Sequence, residues 1–137
     1  MPPREKDATH WLYRLTSDEW LVAAETELRH CAETLGRRAF RPGVTHARRA
    51  AGMAWNAVLV ASFDERFGRS YMEHVAALAN DQGVPDETRQ AAQYLRDTPP
   101  APPRLVTLGK PDLGPLAAAR IIVHQARSQV AVPTTAN

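Results

Sequence analysis

An arginine and a histidine brought together can act on a phosphodiester, the imidazole moving a proton while the guanidinium holds the charge that develops on phosphate. Two pairs in the sequence have usable spacing. In Arg69-Ser70-Tyr71-Met72-Glu73-His74, Ser70 can cap a helix whose second turn carries the histidine. A five-residue step on a continuous helix turns the chain by about 140°, so the two side chains converge only if Arg69 lies before the helix. His74 is equally able to tuck against a neighbouring helix with Arg69 left in solvent. Glu73 is claimed first by the cap and only weakly as an auxiliary acid. Arg120 and His124 share one helix face, as ordinary surface pairs do. His30, Cys31 and His46 could gather on a metal, but a lone cysteine on an apolar stripe belongs to the core. Neither a metal nor a cofactor is therefore expected. Glycine-rich phosphate loops, a His-Glu-x-x-His helix, paired Cys-x-x-Cys and a nucleophile elbow are all absent from the sequence.

The charge is unevenly distributed. The formal net charge is only +2, yet no acid occurs from Thr34 to Phe63, a stretch that holds Arg37, Arg38, Arg41, His46, Arg48 and Arg49. The five arginines are candidates for binding RNA or phosphate, because a planar guanidinium meets a phosphate with two parallel hydrogen bonds. Of 17 basic residues only Lys6 and Lys110 are lysine, a preference that genome composition alone also produces. Trp20, Trp55 and Tyr71 are better explained by packing than as platforms for stacked bases. A hydrophobic fraction of 44% with 23% charged residues is that of a folded domain rather than a disordered chain. One cysteine in 137 residues allows no internal disulfide and fits a reducing compartment. With no apolar signal core at Met1-Pro2-Pro3-Arg4-Glu5, and only a short uncharged run over 50–63, the expected location is the cytoplasm, without a membrane span.

These side chains must be held by helices, since no segment alternates with a period of two and no repeat of twenty to fifty residues appears. Thr16-Ser17-Asp18-Glu19 is a capping box that opens a helix over 17–35. Along it Leu21, Ala24, Leu28, Cys31 and Leu35 form one apolar stripe, and Gly36 supplies a left-handed stop. Arg41-Pro42-Gly43 reads as a turn, and Thr45 as the cap of a second helix reaching about Ser62. That helix buries Ala51, Trp55, Val58 and Leu59, and its small residues Ala47, Ala50, Gly52 and Ala54 admit close neighbours, which makes it the central helix. Asn56 needs a partner if it is buried. A third helix starts at Ser70 and stops by Gly83; a fourth starts at Pro85 and turns Thr88, Ala91, Ala92 and Leu95 inward. Pro115 opens the last, with Leu116, Ala119, Val123, Ala126 and Val130 on its stripe. The expected organisation is an arm over 1–15 and one domain over 16–131, with a Pro-rich linker and strap at 98–110 and a loose tail over 132–137. The fold class is all-α, an antiparallel bundle of about five helices.

This arrangement resembles the HEPN superfamily of small helical bundles from prokaryotic defence and toxin systems. The likeness rests on Glu19-Trp20-Leu21-Val22-Ala23-Ala24-Glu25, on His46-Ala47-Arg48-Arg49-Ala50-Ala51-Gly52-Met53-Ala54 and on Arg69 to His74. Many members are metal-independent endoribonucleases whose arginine and histidine, four to six residues apart, act across a homodimer. The resemblance thus implies catalytic roles for Arg69 and His74 and RNA as a partner. The family motif usually lies near the last core helices, whereas this one opens the third. Non-catalytic members serve as binding or assembly modules. The residues leave two readings open: a dimer that engages RNA or nucleotides, as a ribonuclease using His74 for proton transfer and Arg69 for phosphate, or a non-catalytic helical adaptor that binds another protein.

Overall fold

Thr16 Oγ1 accepts from the Glu19 amide at 3.1 Å while the Thr16 amide donates to the Glu19 carboxylate at 2.9 Å, so the expected capping box opens α1 (Ser17–Gly36) on both sides. Such a cap contributes about 1 kcal/mol. The computed structural model describes residues 11–99 and 112–131. Four further helices follow: α2 (Phe40–Ala61), α3 (Tyr71–Ala79), α4 (Asp86–Asp97) and α5 (Gly114–Ala131). Short 3-10 turns lie at Trp11–Arg14 and Glu65–Phe67, and there is no strand among the described residues. The fold is an all-α bundle. The Pro-rich stretch beyond Pro99, the strap and the tail lie outside the described residues.

The α1–α2 connection differs from the expected one. Helix α2 begins at Phe40, five residues before Thr45. Pro42 falls in its first turn, where an amide hydrogen has no helical partner to lose and the fixed φ of the ring already suits a helix. The turn is instead Arg37 to Ala39, closed by Arg38 N donating to Leu35 O and Ala39 N to Thr34 O. Gly36 stays helical, and the left-handed position falls on Arg38 at φ 64°. Gly43, well inside α2, packs so tightly on Leu35 that a β-carbon there would overlap it.

Contacts run in opposite senses along the two helices. Ser17 Oγ donates to Ala57 O at 2.8 Å, Glu27 meets His46 and Arg49, and the Cys31 thiol donates to Gly43 O at 3.3 Å. Helices α1 and α2 therefore form an antiparallel hairpin. As its small residues imply, α2 is central: it packs against α1, α3, α4, α5 and the Trp11–Arg14 turn. The expected stripes are buried at Leu21, Leu28 and Leu35 on α1, Trp55 and Leu59 on α2, Leu95 on α4 and Leu116 with Val123 on α5, while Val130 is half-buried; Leu78 on α3 and Ile122 on α5 join the core. The described part of the arm joins them, with Leu12 fully buried and its carbonyl accepting from Trp20 Nε1 at 2.8 Å. No helix among the described residues is long and apolar enough to cross a membrane.

Candidate functional site

Ser70 caps α3 as expected, its hydroxyl accepting from the Glu73 amide at 3.1 Å. That start leaves Arg69 outside the helix and exposed, but it also turns His74 onto the face shared with Val75, Leu78 and Ala79. His74 is fully buried. Its Nδ1 lies 2.6 Å from the Phe67 carbonyl and its Nε2 2.7 Å from the Asn56 carboxamide, while Trp11 stacks on the ring at a centroid distance of 6.1 Å. Burial holds its pKa below the ordinary histidine value, so the ring is neutral. A neutral imidazole needs one acceptor and one donor, and the Asn56 amide offers either by a half-turn of its side chain. Turning Nδ2 to the ring bonds that atom and releases Oδ1, so in either orientation one Asn56 atom is committed to His74. The two residues expected to do chemistry are thus not brought onto one accessible surface, because His74 Nε2 is spent holding α3 to α2 and Nδ1 holding it to the Glu65–Phe67 turn.

The five arginines divide. Arg48 reaches across to the end of α4, Nε donating to Leu95 O at 2.9 Å and Nη2 to Thr98 O at 2.8 Å, which satisfies carbonyls that the helix leaves open. Arg49 Nε sits 2.8 Å from Glu27 Oε1. Arg37, Arg38 and Arg41 are exposed around the α1–α2 turn and the first turn of α2. This end of α2 is electrostatically unusual. Its N-cap is Ala39, which brings no side-chain oxygen to the first amides, and its first turn holds no acid. By contrast α1 opens on Thr16 with Asp18 and Glu19, α3 on Ser70 with Glu73, and α4 with Asp86 and Glu87. The amide of Gly114, at the start of α5, donates to Asp112.

A second polar group joins α1 to α2, and only part of it was expected. Glu27 and His30 are one turn apart on α1, and His46 and Arg49 are one turn apart on α2. The antiparallel register sets these rows face to face. His30 Nδ1 lies 3.2 Å from Glu27 Oε2 and His46 Nδ1 3.4 Å from Glu27 Oε1, with the two rings edge to face at 5.3 Å. The Glu27 side chain is 8% exposed, His46 23% and His30 48%. One donor atom from each of Glu27, His30 and His46 falls within 4.8 Å of the others. Cys31 is not in this group: it is buried in the core, and burial pushes its thiol up to about 11, out of reach of thiolate chemistry at neutral pH. Tyr71 borders the group, its phenol raised by burial and influenced by both Arg49 and Glu27. Arg120 and His124 are both exposed on α5.

Sequence reading passed over Glu27 because an acid between Ala24, Leu28 and Cys31 looks like a break in an apolar stripe, and its partners on α2 are legible only once the hairpin register is known. No family model, curated protein or solved structure matches the chain.

Proposed function

We propose that the chain is a non-catalytic helical module that binds RNA through phosphate contacts at the α1–α2 corner. The observation that carries this reading is the start of α2, where Arg37, Arg38 and Arg41 surround a helix end that has neither an acid in its first turn nor a capping side chain. The first amides of a helix carry partial positive charge, and a cation in the first turn costs a few tenths of a kcal/mol, up to about 1. An anion there relieves both. The HEPN-like reading of the sequence makes RNA the first polyanion to test. Arg48 and Arg49 support the corner from behind by fixing α4 and α1, and Arg69 with His74 is left out of the chemistry.

The test is the salt dependence of binding to a labelled single-stranded RNA, followed by fluorescence anisotropy. Affinity should fall steeply with salt while the RNA stays intact. The triple variant Arg37→Gln/Arg38→Gln/Arg41→Gln should lower the slope of log K against log salt by about 2, given about 0.7 per phosphate contact on a single strand. Absence of salt-sensitive binding, or an unchanged slope in the triple variant, overturns the reading.

A further inference from the structure

We propose that Glu27, His30 and His46 form a binding site for a divalent transition-metal ion of the zinc class, spanning the α1–α2 hairpin. The donor set is two imidazole nitrogens and one carboxylate oxygen, the borderline ligands that zinc, nickel and copper(II) prefer over the all-oxygen shells of magnesium and calcium. The spacing agrees with the chemistry. Ligands held about 2.05 Å from one ion at the tetrahedral angle lie about 3.3 Å apart. Glu27 Oε2 is 3.2 Å from His30 Nδ1 and Glu27 Oε1 is 3.4 Å from His46 Nδ1, and one donor atom from each of the three residues lies within 4.8 Å of the others. Both histidines present Nδ1, rather than one Nδ1 and one Nε2, to the same carboxylate.

Charge neutralisation alone does not account for the group. Glu27 already has a guanidinium on Oε1, and one buried carboxylate needs one cation. Two imidazoles from different helices bring their Nδ1 atoms to that same carboxylate, one to each oxygen. The group borders solvent on the side of His30, which is half exposed, so an ion can enter and keep water on its remaining positions. The scaffold is rigid: Glu27 is buried in the contact between two long helices, and Gly43 with Leu35 fixes their separation just beyond His46. Arg49 is the one group that competes. Its guanidinium holds Oε1, the oxygen that His46 also faces, while Oε2 faces His30, and its positive charge lowers the affinity.

Titration calorimetry of the untagged full-length chain with zinc chloride tests the site, with cobalt(II) absorption in the visible reporting the geometry. The expected result is one ion per chain, with intense ligand-field bands of a four-coordinate cobalt centre and no heat of binding with magnesium. His30→Ala and His46→Ala should each weaken zinc at least about tenfold with an unchanged helical circular-dichroism spectrum. His124→Ala, on α5, should bind as the unaltered chain does. Arg49→Gln should bind zinc at least as tightly. Failure of the unaltered chain to take up one equivalent, or equal affinity in the His30 and His46 variants, overturns the proposal. Zinc titrations and RNA salt slopes are independent, so either reading can fail without the other.

Discussion

His74 is sealed beneath Trp11 with both nitrogens engaged by Phe67 and Asn56, whereas His30 and His46 turn theirs to one carboxylate beside an opening to solvent. Both environments are anchored on α2, one by Asn56 and the other by His46. They differ in what remains for a ligand. In the first, both ring nitrogens have been used to fasten α3 to α2 and to the Glu65–Phe67 turn, and the ring works as a core residue of fixed shape. In the second, three donor atoms lie within 4.8 Å of one another beside a half-exposed ring. The comparison teaches that a histidine near an arginine in sequence acquires chemistry only when the fold leaves one of its nitrogens uncommitted.

The comparison can be broken most directly at His74. His74→Ala removes a buried ring and orphans the Phe67 carbonyl together with the Asn56 amide, and should cost about 3 kcal/mol. A drop in Tm on the order of 10 °C would report it. A change of only a degree or two would mean that the ring is not the structural pin described above.

Acid sharpens the contrast by a smaller amount. Burial keeps the folded-state pKa of His74 below the ordinary value near 6.5, so below about pH 6.5 the unfolded chain takes up a proton that the folded chain refuses. The contribution is fully present above that pH and is lost as pH falls toward the folded-state pKa. Urea midpoints measured at about pH 7.5 and about pH 5.5 should therefore decrease, and His74→Gln should remove that share of the decrease. An identical slope in the two proteins would assign the acid sensitivity elsewhere.

The smallest effect is expected on the other side of the comparison. His30 has a side chain 48% exposed, and His30→Ala should change stability by no more than about 0.5 kcal/mol in metal-free buffer. A large loss would make the Glu27 group a structural network like that around His74.

Most of the bundle was legible in the sequence because its signals are local. The box at Thr16, the stripe from Leu21 to Leu35 and the serine before Tyr71 act within one or two turns, and each performs as its type and spacing imply. The start of α2 was not legible, since Arg41-Pro42-Gly43 has the composition of a turn, and only its packing on Leu35 makes the helical form preferable. Arg38 rather than Gly36 takes the left-handed position for the same reason: the two helices fix where the chain must reverse. The candidate sites divide likewise. The arginine corner can be seen as a run of charge. The Glu27 group joins residues 19 and 22 positions apart, and His74 is covered by Trp11, 63 positions earlier, facts that exist only in three dimensions.

The hairpin of α1 and α2 has a consequence for how the molecule assembles. Its two legs are joined by three residues and bring together positions separated by short loops, which cost little entropy to close. On refolding, this pair is the unit able to form first, ahead of the docking of α5 from the far end of the chain. The arginine corner and the Glu27 group both lie wholly within it. Among the described residues neither draws a hydrogen-bonding or ion-pair partner from the later helices, so the contacts of each can be made as soon as the hairpin closes.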